Sequence, residues 1–329
     1  MRKIAVLSLG GTIAMASKSG QGGVKPSLTA IDLVAELAPL DSDITVETHQ
    51  ICNLPSVEIG LTEILLLKDK IVALKSEGVK GVVVTQGTDT IEETSWLLDM
   101  ICPRGIGLVV TGAMRDPTKA SADGPANLFA AIQVAASDPA GKLGALVVFN
   151  DEIHAARFVQ KSHTSNVGAF TSPNCGTMGW IAEGRPIFLK QVLPIEPVDI
   201  HIDSKMPRIP IIKPSLGDDG YIIDAMLARE VRGMVVEAAG GGHVSSSVAA
   251  AIDRAADEMP VVLSSRARAG SILSDTYGFV GSEIDLLARG VISSLYLDPL
   301  KAKLLLAISI LLGEDNSSIE MRFARLNGA

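Results

Sequence analysis

Ile4-Ala5-Val6-Leu7-Ser8-Leu9-Gly10-Gly11-Thr12-Ile13-Ala14 is the stretch that decides the fold. An apolar run of strand length ends in two glycines and a threonine. The arrangement recurs at Gly81-Val82-Val83-Val84, followed by Thr85-Gln86-Gly87-Thr88-Asp89-Thr90. Short, unbroken Val/Ile/Leu runs are what a parallel strand covered on both faces requires. Loops leaving the carboxyl ends of neighbouring parallel strands open into one crevice, where ligands bind. Glycines there let backbone approach a ligand closely and take positive φ. A hydroxyl held at such a rim becomes a nucleophile once a base removes its proton. Two hydroxyls on one rim point to a hydrolase.

Apolar runs alternate with amphipathic stretches along the chain, the signature of βαβ units. Strands are expected at 3–9, 44–50, 80–85, 106–111 and 143–149. Helices are expected at 30–38, 62–77, 90–102 and 124–137, the last with Pro125 in its first turn. Between about 190 and 217 the texture changes: Pro194, Pro197, Pro207, Pro210 and Pro214 rule out a helix. The alternation then resumes, with helices at 221–232 and 245–258, strands at 233–237 and 260–265, and two closing helices at 298–312 and 316–327. The expected architecture is α/β in two domains. A larger parallel-sheet domain of flavodoxin-like type spans 1–190, a linker with one or two short strands spans 191–217, and a smaller α/β domain spans 218–329.

The 329 residues suffice for two cores, and 47% apolar with 20% charged residues suits sheets covered on both faces. A net charge of −8 without a basic run argues against nucleic acid, since nothing offers counterion release. No apolar stretch approaches the roughly 20 residues that a bilayer crossing needs; Leu304 to Leu312 is bounded by Lys303 and Glu314. Three widely spaced cysteines, Cys52, Cys102 and Cys175, fit neither a disulfide scaffold nor a Cys-x-x-Cys site. His49, His154, His163, His201 and His243 show no ligand spacing, so no metal is expected. Met1-Arg2-Lys3, an apolar stretch and Ala14-Met15-Ala16 imitate a signal peptide. Cleavage there would discard Thr12, so the strand reading is preferred and the expected location is cytoplasmic.

Each candidate has a plain reading beside the chemical one. Thr12 alone is equally a turn-capping residue. Thr88 and Asp89 suit the start of a helix at Ile91, whose Glu92 and Glu93 complement its positive end. Lys161 is either an exposed lysine or a base whose pKa is lowered by burial. Gly112-Ala113-Met114-Arg115 offers backbone N–H groups for an oxyanion hole. Gly240-Gly241-Gly242-His243 is a turn, a phosphate nest or a substrate-facing loop. The dinucleotide fingerprint Gly-x-Gly-x-x-Gly and the P-loop pattern are both absent.

Taken together, Gly-Gly-Thr-Ile-Ala at 10–14, Gln-Gly-Thr-Asp-Thr-Ile-Glu-Glu-Thr at 86–94, Gly-Ala-Met-Arg at 112–115 and Ser-Ala-Asp-Gly-Pro at 121–125 resemble the bacterial-type L-asparaginases and glutaminase-asparaginases. The resemblance continues through Lys161, Gly176, Ser264-Ser265-Arg266, Glu283 and Leu297-Asp298-Pro299, in order along nearly the whole chain. It implies Thr12 as nucleophile, with Thr88, Asp89 and Lys161 as a second triad that activates a hydroxyl or water. It implies Ser56 for the substrate α-carboxylate, Asp89 for its α-amino group, and Gly87 in the same substrate-facing loop. Thr88 and Ala113 match the oxyanion-hole positions, and Glu283 a carboxylate supplied by a neighbouring subunit. Implied too are an amino-acid substrate, no cofactor, a left-handed crossover, and a homotetramer built from intimate dimers. Three positions depart from the pattern: residues 15–28 hold no tyrosine, Val57 replaces a frequent glutamine after the serine, and His243 replaces a frequent asparagine. Asparagine hydrolysis through an acyl-enzyme is the leading expectation. Glutamine or another small amide is the alternative, and a non-catalytic amino-acid-binding protein a distant one.

Overall fold

A computed structural model describes residues 1–11, 15–16, 25–26, 34, 37 and 39–327. Thr12 and nearly all of the helix expected at 30–38 lie outside the described residues. The chain divides into two compact units, Met1–Asp203 and Ser204–Ala329.

The first unit begins with β1 (Arg2–Ser8), the short antiparallel pair β2 (Met15–Ala16) and β3 (Lys25–Pro26), and β4 (Ile44–Gln50). Next come helix α1 (Leu61–Ser76), β5 (Gly81–Thr85), α2 (Ile91–Ile101), β6 (Gly107–Thr111), α3 (Gly124–Ala135), the single turn α4 (Ala140–Leu143) and β7 (Ala145–Phe149). The parallel strands lie in the order β4-β1-β5-β6-β7. In chain order that is second, first, third, fourth, fifth, the flavodoxin arrangement, whose switch point falls between the first and third strands. Here that gap separates β1 from β5. Every residue of β5, β6 and β7 is buried, which is why these strands read as unbroken apolar runs. On α1, Leu61, Ile64, Leu67, Ile71 and Leu74 form the buried stripe, at three- and four-residue spacing. Asp123 precedes α3 and Pro125 occupies its first turn, where a missing N–H costs nothing.

The expected parallel sheet is present, and antiparallel strands extend it, so that the whole is mixed and mostly parallel. Beyond β7 it continues antiparallel through β8 (Glu152–Ala155), β11 (Gly179–Ala182) and β12 (Arg185–Phe188). Two-residue turns make the β7–β8 and β11–β12 reversals: Asn150-Asp151 and Glu183-Gly184 all take positive φ. Paired positive φ gives the turn whose twist matches antiparallel strands. Between β8 and β11 lies a separate small hairpin, β9 (Gln160–Lys161) with β10 (Phe170–Thr171).

The proline-rich stretch does not stand free of its neighbours. Its first part is tied to the first unit: Val198 N donates to Met100 O at 2.9 Å, and Arg104 Nε to Ile195 O at 3.2 Å. Its second part supplies β13 (Ile211–Ile212) to the second unit.

The second unit is a four-stranded parallel sheet in the order β13, β14 (Met234–Ala238), β15 (Val261–Ser265) and β16 (Ile292–Ser293). Helices α5 (Tyr221–Leu227), α6 (Ser246–Ala256), α7 (Glu283–Ala288), α8 (Pro299–Leu311) and α9 (Asn316–Ala324) accompany it. Its core includes Met234, Val236, Val248, Ile252, Leu263 and Leu286. Among the described residues, no helix is long and apolar enough to cross a membrane.

Candidate active site

Register sets the site. Ser8, Thr85 and Thr111 are aligned neighbours on β1, β5 and β6, so the three loops that follow start level with one another. They are packed too tightly to admit side chains. A Cβ on Gly11, which has φ +89°, would lie 1.9 Å from the Gly87 nitrogen, and one on Gly112 would lie 2.5 Å from the Gln86 carbonyl oxygen. Glycine is the only residue that permits this approach of backbone to backbone.

Beside these loops lies a cavity of about 240 Å³. Gly11, Gly87, Thr88 and Asp89 line one part of it, and Pro55, Ser56 and Val57 another. Met114, Lys161 and Thr164 complete the wall. Ser56 is buried and starts a short 3₁₀ turn, Ser56–Glu58. That turn is fastened to the β5 loop by Thr90 Oγ1, which donates to Ser56 O at 2.9 Å. Val57 is 66% exposed on the rim, so a side chain of different length fits there without disturbing the core.

Lys161 arrives from the β9–β10 hairpin and is largely enclosed, which removes the plain reading of an exposed lysine. Its Nζ donates to Thr88 Oγ1 at 2.8 Å and to Asp89 Oδ1 at 2.5 Å. Thr88 is buried, whereas the Asp89 side chain is 65% exposed. The three groups therefore form a continuous line from an enclosed hydroxyl through an amine to a carboxylate in contact with water. This line places the Lys161 nitrogen within hydrogen-bond reach of both oxygens.

The Gly112–Arg115 loop is held open by side chains rather than by strand pairing. Asp123 accepts from Met114 N at 3.0 Å and from Arg115 N at 2.9 Å. Asn127 donates to Gly112 O at 3.0 Å and accepts from Asn150 N at 2.9 Å. Ala113 is buried within this loop, and Met114 faces the cavity.

His243 and Glu283 belong to the second unit. The chain brings them together with each other: His243 Nε2 lies 3.0 Å from Glu283 Oε2. Glu283 Oε1 accepts from Tyr277 N at 2.7 Å and from Thr276 N at 3.0 Å. Burial raises the pKa of this carboxyl, but the backbone donors and His243 outweigh it and hold the group below its ordinary value. Glu283 is fully enclosed, while the imidazole remains partly exposed and edge-on to Tyr277 and Phe279, at 4.8 and 5.4 Å between ring centres. Of the pair, His243 is the member that faces outward.

Neither Thr164 on the cavity wall nor Glu92 beside Lys161 was legible in the sequence. Thr164 has no motif of its own, and Glu92 reads as an ordinary acid in a helix's first turn. Among the described residues no His, Cys, Asp and Glu cluster has the geometry to hold a metal ion.

Comparison with known proteins identifies the family. The family model described as the asparaginase N-terminal domain matches residues 3–193, and that of the glutaminase/asparaginase C-terminal domain matches 208–323. The chain belongs to the asparaginase family. An asparaginase-family relative, an L-asparaginase of Bacillus licheniformis, is 33% identical over 310 residues, 93% of this chain and 95% of that protein. A probable periplasmic L-asparaginase of Haemophilus influenzae is 31% identical over 97% of this chain and 92% of its own. Among solved structures, a probable cytoplasmic L-asparaginase from Campylobacter jejuni superposes with a TM-score of 0.88. It is 31% identical, over 98% of this chain and 99% of its own.

Proposed function

We propose that this asparaginase-family protein hydrolyses L-asparagine to L-aspartate and ammonia through an acyl-enzyme on Thr12. The observation that carries the reading is the enclosed Lys161 side-chain nitrogen, in contact with both Thr88 Oγ1 and Asp89 Oδ1 on the cavity wall. A site that only bound an amino acid would have no use for a lysine aimed at a hydroxyl.

In the first half-reaction the Thr12 hydroxyl oxygen attacks the side-chain amide carbon. The C–N bond breaks, and the nitrogen leaves as ammonia after taking up a proton, giving a β-aspartyl ester. In the second, water activated through Thr88, Lys161 and Asp89 adds to the ester, and the Thr12 oxygen departs with a proton. Backbone N–H groups at Thr88 and Ala113 hold the developing oxyanion, the contribution usually largest in acyl transfer. Ser56 takes the α-carboxylate, Asp89 the α-amino group, and Gly87 and Val57 shape the floor and rim. Following the family resemblance, we place the protein in the cytoplasm as a homotetramer, with Glu283 and His243 approaching the site of a neighbouring subunit. On this geometry Glu283 acts by orienting His243.

Ammonia release from L-Asn, D-Asn, L-Gln and simple amides, measured on the parent, Thr12→Ala, Thr88→Ala and the double variant, tests the proposal. Each single change is expected to lower kcat by several orders of magnitude, and the double change by far less than their product, because residues acting as one unit are strongly non-additive. Near-normal turnover by Thr12→Ala would remove the nucleophile from the scheme.

A further inference from the structure

One helical turn grips Lys161 at three points. Thr88 and Asp89 hold its Nζ, and Glu92, four residues after Thr88, accepts from the Lys161 backbone N–H at 2.6 Å through Oε1. Glu92 is 8% exposed, so this contact is made out of water. We propose that Glu92 is a positioning residue for the proton relay: its carboxylate oxygen fixes the Lys161 backbone, and thereby where Nζ sits relative to Thr88. The inference rests on the relay described under the proposed function.

The hairpin explains why such a tie is needed. β9 and β10 contribute only two residues each, Lys161 facing Phe170 and Gln160 facing Thr171. They pair with each other rather than with the eight-stranded sheet. The far end closes through Ser162 N and Oγ, both donating to Ala169 O at 2.7 and 2.9 Å, and the Phe170 ring packs on Phe149 at 4.7 Å between centres. These contacts shape the hairpin and anchor its second strand. Glu92 instead ties the first strand to the helix that begins immediately after Thr88–Thr90. The lysine and its two partners therefore move as one body. An ångström of misplacement in a reacting group costs on the order of 100-fold in rate.

Two substitutions separate acceptor position from charge. Glu92→Gln keeps an oxygen at the same distance and loses the charge; Glu92→Asp keeps the charge and withdraws the oxygen by one methylene. The expected order of kcat is parent, then Gln within about threefold, then Asp, then Ala about 10- to 100-fold down, with KM for L-asparagine changed by less than about twofold throughout. Glu92→Asp performing better than Glu92→Gln would overturn the proposal, because charge rather than position would then be in control. So would an effect confined to KM, or Glu92→Asp and Glu92→Ala both retaining parental kcat. The Asp–Gln comparison decides the matter even where Glu92→Ala fails to fold. Lys161→Ala is assayed alongside: its full activity would overturn the relay and the proposal with it, whereas an inactive Lys161→Ala beside unaffected Glu92 variants would overturn the positioning role alone.

Discussion

Gly11 and Gly87 meet backbone to backbone across the gap between β1 and β5, with no room for a methyl group on the first. This contact sets the two threonine loops side by side, and it makes a sharp prediction. Gly11→Ala combines overpacking with a residue forced to φ +89°, for an expected loss of about 3 kcal/mol or more together with loss of turnover. Gly78 is the control: its φ is +85° but nothing lies within 4 Å, so Gly78→Ala carries the conformational cost of about 1 kcal/mol without the collision. Urea unfolding of both variants measures the difference. Equal losses would show that the loops have space to part.

Val57 should govern the choice between asparagine and glutamine. A glutamine there supplies a hydrogen-bonding group near the bound amino acid, whereas valine offers only apolar contact. Losing an anchor penalises the longer, less constrained substrate more in reaching attack geometry, and one methylene is typically worth about 1–3 kcal/mol. The parent is expected to prefer L-asparagine, and Val57→Gln to narrow the gap. kcat/KM for both amino acids tests this; a parent that hydrolyses glutamine equally well contradicts it.

Glu283 and His243 make the assembly testable. Thr12→Ala and Glu283→Ala chains are each expected to be inactive. Mixed under conditions that exchange subunits, they should regenerate some complete sites and recover activity. Verified mixed dimers that stay inactive would mean that each chain builds its own site.

His154 predicts a loss of stability in mild acid. It is buried on β8, with Nδ1 3.0 Å from Ser172 Oγ, and burial pushes its pKa down from 6.5 to about 4. Glu152 Oε2, 3.4 Å from Nε2, favours the imidazolium, but its half-exposed side chain is screened by water and burial dominates. Above about pH 6.5 both folded and unfolded chains carry a neutral ring. As pH falls from there toward 4, the unfolded chain takes up a proton that the folded one refuses. Stability therefore declines across that window, by about 3 kcal/mol in all for this one group. His154→Asn keeps an amide near the Ser172 hydroxyl and should flatten the slope between pH 4 and 6.5 in denaturant titrations. Identical slopes for parent and variant would refute it.

The parallel core was legible because burial on both faces forces unbroken apolar runs: β4 falls at the expected residues, and β1, β5, β6 and β7 within one or two. The antiparallel extension was not. Glu152-Ile153-His154-Ala155 and Arg185-Pro186-Ile187-Phe188 are four residues long, mixed in polarity, and marked only by turns whose positive φ falls partly on Asn, Asp and Glu. Within the site, Thr88 and Asp89 announced themselves by an excess of polar groups after an apolar strand. Lys161 gained weight only from the family resemblance, since nothing local to Phe158–Ser162 says that its amine turns inward. Glu92 reads correctly as an acid in the first turn of a helix, and that sufficient electrostatic reason hides its contact with the Lys161 backbone.

Lys161 and Thr88 are 73 positions apart, and the hairpin that carries the lysine closes only at Thr171. A chain emerging from the ribosome thus presents its hydroxyl loop long before the amine that serves it. Loop closure on this scale comes late, because its entropic cost must be met before the contact rewards it. On the mechanism proposed above, a molecule whose hairpin has not docked is chemically silent toward free amino acids. Turnover, measured against time during refolding, then reports when the lysine hairpin docks.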